Sequence, residues 1–545
     1  MLVLGIGGFM HDYNCALIDV ETQRVAMCEA ERLSRRKHHI IQPNEDLLIP
    51  ILRVCGQLGV RPQQIAIVAF GHSDPFPVKE RLKALLPQAH FVDVDHHLAH
   101  AAAVFFSSPY DSALIMSLDG FGDGSSGLLA RGDGLDIEVH ERMSDMNSIG
   151  LEYLRATYHI GLGTYGAEGK TQGLAPYGQP IWYERYMEEL QVTPEGNLRL
   201  SEALQGETAA LAAEGGYLNA MLLNNDFLYE LLPRRINPEP LTQDHMNLAA
   251  SIQKVLETVA LELAVIGKRR TGEDRLVLSG GVSMNSSMNG VLLASGLFRN
   301  IFAFPMAADR GIGIGAALYY VHVIARVPRF FQLKMTFFGG QYSNDDAVHA
   351  IEAAGLKAER PDDVAEIAAQ AISQGKIVGW FQGQSEMGAR ALGHRSILAD
   401  PRQAEMKDIV NHRVKHREWF RPFAPAVLAS AAPRYYVYPE GVADLGHMTF
   451  TVPTTPLAKA ETPATTHVDG TARLQIVPDD SQDNAKYAAV IRRFGQLTGV
   501  PVILNTSFND NNEPIVESPS DAVATFLKTN MDVLVINDVV AWRKD

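Results

Sequence analysis

Two stretches of one grammar constrain this chain more than anything else in it. "MLVLGIGG" (1–8) is an apolar strand that runs into glycines, and "DRLVLSGGVSMNSSMNG" (274–290) repeats the pattern: an apolar strand, a glycine pair, then a helix start. Glycine turns let bare backbone N–H groups approach an anion that side chains would otherwise keep away. Two such turns, each opening a half, predict a duplicated α/β fold with a cleft between the halves.

The chain between and beyond them fits that plan. "SALIMSLDGFGDGSSGLLA" (112–130) reads as strand, acidic glycine-rich loop, strand. Residues 201–235 read as helical, and "DHMNLAASIQKVLETVALELAVIGKRR" (244–270) is a long amphipathic helix that ends in basic residues. Sugar kinases, chaperone ATPases and actin are built as such duplications. "VPRFFQLKMTFFGGQYSND" (327–345) breaks the pattern, which places a domain boundary near residue 340. Residues 341–545 then form a second α/β domain, with strands in "KIVGWFQG", "GVPVILNTSFN" and "DVLVINDVVAWR" and a long loop at 453–475. At 545 residues the chain exceeds one ordinary core, which agrees with several compact units.

The net charge of −15 argues against a sequence-independent grip on nucleic acid, which needs a basic face to displace counterions. Cys15, Cys28 and Cys55 are too few and too odd in number for a disulfide framework. The first residues lack the basic n-region of a signal peptide, and no apolar run reaches the roughly 18 residues of a membrane span. A cytoplasmic protein without nucleic-acid or membrane partners is expected.

Candidate chemistry gathers in several motifs. "DVDHHLAHAAAVFF" (93–106) carries His96 and His100 four apart, on one helical face, with His97 and His100 as the rival pair. Asp95 is a plausible N-cap, and a helix start disfavours imidazolium, which keeps a ligand ring neutral. Asp119 and Asp309 are read as strand-end carboxylates beside glycine loops. Two histidines with two carboxylates suit a borderline cation, Fe(II) ahead of Zn or Mn. His11 and Asp12 follow the first glycine turn, where a histidine can serve as general base or simply pair with its neighbour. "GTYGAEGKTQGLAPYG" (163–178) fails as a phosphate-binding P-loop, because five residues rather than four separate Gly163 from Gly169-Lys170-Thr171. Glu168 and Lys170 remain ligand candidates there. Arg390, Arg395, Lys415, Arg417 and Arg421, with Ser396 among them, concentrate in an acidic protein and alternate with glycine and apolar residues. Guanidiniums grip phosphate bidentately, so this set suits a small polyanion. "LNTSFND" (504–510) adds amide and hydroxyl groups.

Ten ordered motifs resemble the O-carbamoyltransferase family of nodulation-factor, aminoglycoside, cephamycin and ansamycin carbamoyltransferases. They are "HD" at 11–12, "ERLSRRKH" at 31–38, "HHLAHAA" at 96–102, "LDGFGDG" at 118–124, "EGKTQGLAPYG" at 168–178, "SGGVSMN" at 279–285, "EMGARALGHRSIL" at 386–398, "VKHREWFRPFAP" at 414–425, "THVDGTARLQ" at 466–475 and "NTSFN" at 505–509. The resemblance implies an actin-like N-terminal domain (1–340) that transfers the carbamoyl group. It also implies a YrdC-like C-terminal domain (341–545) that makes carbamoyl-adenylate from carbamoyl phosphate and ATP. By position, His96, His100, Asp119 and Asp309 match a metal set, iron in the relatives, and His11, with Asp12 beside it, matches the proposed base. Gly120, Gly122, Asp123, Glu168, Lys170, Gly280, Gly281 and Asn285 would contact the adenylate. Arg390, Arg395, Ser396, Lys415, Arg417, Arg421, His467, Arg473, Asn505, Ser507 and Asn509 would hold carbamoyl phosphate and ATP with Mg(II).

Two departures stand out: Gln384 where relatives have "QGR", and Asp510-Asn511-Asn512 where a glycine usually precedes "EP". The expected partner is a hydroxyl-bearing small molecule, a natural product or amino sugar, with a second copy of the chain as an option. Acceptor contacts are expected within 180–240. Two alternatives stand beside this reading: a sugar-kinase-like phosphotransferase, which would release ADP, and a non-catalytic nucleotide-binding protein of the actin-like class.

Overall fold

In a computed structural model of the chain, the residues described are 1–42, 44–71, 77–205 and 226–543. Two equivalent sheets are present, but only the first glycine-bearing strand opens one. The first comprises β1 (Leu2–Gly7), β2 (Asn14–Asp19), β3 (Arg24–Glu29), β4 (Ile65–Gly71) and β5 (His90–Val94), in the order β3-β2-β1-β4-β5. Its first three strands form an antiparallel meander, and β4 and β5 add in parallel. The second sheet repeats this: β6 (Ser112–Gly122), β7 (Ser125–Asp133) and β8 (Asp136–Ser144) form the meander. A short hairpin, β9 (Leu190–Val192) and β10 (Leu198–Leu200), intervenes before β11 (Arg275–Ser279) and β12 (Asn300–Ala303) add in parallel. The order β12-β11-β6-β7-β8 is the first sheet's order again, with β6 in the place of β1 and the second glycine-bearing strand, β11, in the place of β4. This is the duplicated actin-like fold.

Helices His96–Ser107 and Ile312–Leu318 lie between the two sheets. Small residues make that possible. A Cβ on Gly5 would sit 1.9 Å from the Gly313 carbonyl oxygen, and one on Gly315 would sit 2.0 Å from that of Ala99. The opening glycine motif is thus explained by helix packing on β1. The helix Gln243–Thr271 matches its periodicity, buries Leu248, Ile252, Val255, Val259 and Leu263, and ends in Lys268, Arg269 and Arg270 before Gly272 at φ +72°. Of the helical reading at 201–235, helices Glu202–Gln205 and Asp226–Leu231 are seen, and residues 206–225 lie outside the described residues.

The C-terminal part is a mixed α/β unit. Its strands are β13 (Val378–Phe381), β14 (Arg395–Ala399), β15 (Ala424–Leu428), β16 (Thr451–Pro453), β17 (Thr471–Arg473), β18 (Gln475–Val477), β19 (Val502–Ser507), β20 (Val533–Ile536) and β21 (Val539–Trp542). Seven of them form one sheet in the order β18-β15-β19-β14-β13-β20-β21. The long loop expected at 453–475 is a correction: it contains the helix Pro456–Glu461 and the strand β17, which pairs with β16. Among the described residues no helix is long and apolar enough to cross a membrane.

Candidate active site and metal centre

Asp95 caps the helix His96–Ser107 by accepting a hydrogen bond from the Leu98 N–H, so both candidate histidines fall in its first turns. His96 Nε2 and His100 Nε2 lie 3.3 and 2.9 Å from Asp119 Oδ2, and 3.7 and 3.6 Å from Asp309 Oδ1. One donor atom from each of the four residues lies within 4.8 Å of the others. Two imidazoles and two carboxylates at this spacing fit a divalent borderline cation. Burial opposes charge on His100, but the carboxylates of Asp119 and Asp309 outweigh it and raise the ring to about 9. Burial likewise opposes the Asp119 charge, yet His100 and His96 hold that carboxyl well below its usual range. Cation binding at these ligands displaces protons. The rival His97 drops out: its Nε2 pairs with the Ser125 carbonyl, and burial pushes its ring down to about 3.

Asp309 does not end a strand. β12 stops at Ala303, and Asp309 opens a single 3₁₀ turn that feeds the helix Ile312–Leu318. The glycine-helix packing described above is what brings it to the histidines.

His11 stacks on Tyr165 with ring centroids 3.8 Å apart. Its Nδ1 is 3.4 Å from Asp12 and its Nε2 is 3.6 Å from Asp309. Burial lowers its affinity for a proton, but Asp309 and Asp12 raise the ring to about 9. Asp12 also accepts from Tyr165, His38 and Arg310 at 2.8, 3.0 and 3.0 Å. A carboxylate so engaged positions its neighbours. Asp12, Glu31 and His38 are spaced as metal ligands are, but Arg310, 3.4 Å from Glu31, already supplies the positive charge there.

One cavity of about 660 Å³ joins this centre to the basic cluster of the C-terminal part. From the N-terminal side His11, Asp12, Asp119, Gly120, Glu168, Lys170, Gly281, Asn285 and Asp309 line it. From the C-terminal side come Arg390, Lys415, Arg417, Arg421, His467, Arg473, Asn505, Ser507 and Asn509. Burial, and then the neighbouring Arg417 and Arg421, push the Arg473 guanidinium down to about 10. Burial, and then neighbouring guanidiniums, also depress Arg390 (Arg473, Arg421 and Arg310) and Arg417 (Arg421). Arg473 Nε and His467 Nε2 are buried without a hydrogen-bond partner among the described residues. Crowded cations with open donors are a receptor for a polyanion. Lys415 is already tied to Ser507 and Asn509, with 2.7 Å to Asn509 Oδ1, and it stiffens the floor.

Comparison with known sequences shows the family. Residues 78–318 match the carbamoyltransferase N-terminus, and residues 369–543 match the carbamoyltransferase C-terminus. Nodulation protein NolNO of Sinorhizobium fredii is 37% identical, the match covering 98% of this chain and 79% of that one. The chain belongs to the carbamoyltransferase family. Nodulation protein NolO of Bradyrhizobium diazoefficiens is 40% identical over 83% of this chain and 79% of its own. An uncharacterized protein of Synechocystis sp. is 32% identical over 99% and 96%.

Five expected contact residues of this carbamoyltransferase family member stand off the cavity. The Arg395 guanidinium is fully buried and donates to the carbonyls of Gln382, Gly340, Gly383, His394 and Glu517, so it braces the fold. Ser396 accepts from the Gly393 N–H. Gly122 makes room for His96, since a Cβ there would lie 2.3 Å from its ring. Asp123 accepts from the His96 N–H, and Gly280 turns at φ +80° against Leu118. Both departures are also accommodated. Gln384 donates to the Gly339 carbonyl and does not line the cavity, so its exchange removes no cavity cation. Asn512 sits at φ +61°, a conformation that asparagine tolerates better than other non-glycine residues. The sequence reading missed Lys37, Tyr165 and Arg310, all on the cavity wall. Only the cluster "ERLSRRKH" hinted at the first.

Proposed function

We propose that this carbamoyltransferase family member is an ATP-dependent O-carbamoyltransferase. It forms carbamoyl-adenylate from carbamoyl phosphate, ATP and one water with Mg(II): hydrolysis releases phosphate and leaves carbamate, whose oxygen bonds to the α-phosphorus of ATP as pyrophosphate leaves. It then passes the carbamoyl group to a hydroxyl of a small natural product. The division of labour follows a boundary near residue 340. The observation that carries the reading is the single cavity with a polyanion receptor at one end and His11 beside the His96–His100–Asp119–Asp309 set at the other.

Arg390, Arg417, Arg421 and Arg473 bind the phosphates of ATP and carbamoyl phosphate. Lys415, Asn505, Ser507 and Asn509 shape the floor beneath them. Asn285, Gly281 and Lys170 receive the adenylate at the other end. His96, His100, Asp119 and Asp309 hold a divalent cation, Fe(II) by preference of the donor set, which when bound neutralises phosphate charge on the leaving AMP. His11 takes the proton of the acceptor hydroxyl. A cation on Asp119 and Asp309 would offset two of the carboxylates that raise the His11 ring, and so would favour its neutral, proton-accepting form. Tyr165 and Asp12 hold the imidazole in place.

The test is product analysis. Purified protein with carbamoyl phosphate, ATP, Fe(II) and a panel of hydroxyl compounds is expected to yield AMP, pyrophosphate and a carbamate ester seen by mass spectrometry. ADP with a phosphorylated acceptor would replace this reading by the kinase one. No turnover of ATP under any acceptor would refute both.

A further inference from the structure

One buried ion pair lies off the cavity and is used by neither end of the proposed reaction. Glu29, at the end of β3, and Arg32, in the one-turn helix Ala30–Ser34, pair at 3.1 Å with side chains 4% and 1% exposed. Burying two charges is expensive, and such a pair contributes little stability over apolar replacements. Here both partners reach the backbone of the same residue of the C-terminal part. Glu29 accepts from the Gly388 N–H, and Arg32 Nη2 donates to the Gly388 carbonyl at 2.6 Å.

Gly388 belongs to the loop that delivers Arg390. Below it, the Met387 N–H is tied to the Thr336 carbonyl. Glu386 gathers the N–H groups of Leu392, His394 and Arg395 at the loop's base. Above it, the Ala391 carbonyl is held by Asn505. Ala389 and Arg390 span the gap between Gly388 and that tether, and both line the cavity. The Arg390 guanidinium then crosses to the Met284 carbonyl at 3.2 Å. Gly388 itself sits at φ +93°, and a Cβ there would stand 2.9 Å from the Pro305 carbonyl oxygen. The same one-turn helix faces the other end of the cavity through Glu31, which accepts from the His38 N–H at 2.8 Å and pairs with Arg310.

We infer that Glu29 and Arg32 are positioning residues for the polyanion site: by clamping Gly388 they hold Arg390 in the cavity, so the N-terminal half completes the anion receptor of the C-terminal half. This rests on the reading of the basic cluster as the carbamoyl phosphate and ATP site. Loss of the clamp lets residues 388–390 relax and weakens anion binding without touching any ligand-contacting group.

The test is a cycle with Arg390→Ala. Glu29→Leu/Arg32→Met removes both charges together and leaves neither orphaned. ATP binding is measured by calorimetry, and KM for carbamoyl phosphate and thermal unfolding are measured beside it. Arg390→Ala is expected to weaken binding about tenfold to a hundredfold, the usual loss for charged hydrogen bonds. The double variant is expected to weaken it about tenfold, with Tm within a few degrees of the parent. The triple variant should be no weaker than Arg390→Ala alone, because the clamp acts through that residue. If the double variant does not fold, Gly388→Ala serves in its place: its Cβ displaces the loop and leaves the ion pair intact, and the same loss is expected. Parental binding by the double variant, or a triple variant whose loss is the product of the two, overturns the inference. Arg390→Ala binding both anions like the parent would instead overturn the reading of the basic cluster, and the inference with it.

Discussion

A methyl group at Gly122 is expected to dismantle the proposed metal centre without altering any of the four residues that would hold the ion. A Cβ built there lies 2.3, 2.5 and 2.6 Å from three atoms of the His96 ring, whereas ordinary contact begins near 3.4 Å. The ring must therefore withdraw by about 1 Å, several times the roughly 0.2 Å within which metal–ligand distances are held. It has little room to do so. His96 is 1% exposed, and the rings of His97 and His100 stand 5.0 and 4.7 Å away. Gly122 is not in the left-handed region, so the backbone itself accepts alanine. The overpacking costs about 1–3 kcal/mol of stability, and a displaced ligand costs about 10- to 100-fold in metal affinity, as loss of a ligand's support does. The neighbouring Gly120 is the control, because its Cβ would meet Leu151 at an ordinary 3.8 Å. Apo protein titrated anaerobically with Fe(II) in a calorimeter is expected to show Gly122→Ala binding at least tenfold more weakly and Gly120→Ala binding like the parent. Equal affinity in Gly122→Ala would refute the assignment of His96 as a ligand held by that contact.

Further outcomes follow from particular environments. Burial raises the Glu168 carboxyl from its ordinary 4.5 to about 7, the backbone N–H groups of Glu168 and Gly166 offsetting only part of that. Between about pH 4.5 and 7 the native state then keeps a proton that the unfolded chain has lost, so stability falls as pH rises through that window, by at most about 3 kcal/mol. Glu168→Gln should flatten this fall in Tm, and an unchanged profile would refute it. Arg395→Met should cost about 3–5 kcal/mol in denaturant unfolding because it orphans buried carbonyls. Arg473→Ala should instead leave the midpoint close to the parent's and weaken ATP binding. The reverse pattern would exchange their roles. Asn512→Gly is expected to change stability by under about 1 kcal/mol and Asn512→Val to cost about 1–2 kcal/mol, since β-branched side chains resist positive φ. A neutral valine would show that the loop does not need the left-handed conformation.

How much of this was legible in the chain depends on the range of the interaction. Asp95 as a cap and His96 and His100 on one face are local facts of helix geometry, and the structure keeps them. The duplication was expected from two glycine-bearing strands, yet those two hold different places in the repeat: the counterpart of β1 is β6, and β11 is the counterpart of β4. The 453–475 segment was read as a loop since its strand is three residues long and its partner is equally short. Gly122 was placed by the resemblance as an adenylate contact, yet its role here is to leave room for the His96 ring from the helix packed on β6.

What the sequence by itself determined is the inventory: which residue types are present, at what spacing, on which kind of element. What only the tertiary structure decided is the direction each one faces. Arg390 and Arg395 lie five apart in one motif, but one opens into the cavity and the other is surrounded by backbone carbonyls. Asp12 was placed in the sequence only as the neighbour of His11, and Arg310, 298 residues away, proves to share its charge. The resemblance favoured His96 over His97, and the physical reason is the Ser125 carbonyl that the second sheet supplies to the His97 ring. The physical reason is common to all three. A polar side chain goes where its hydrogen bonds and charge are satisfied, and those partners come from distant parts of the chain.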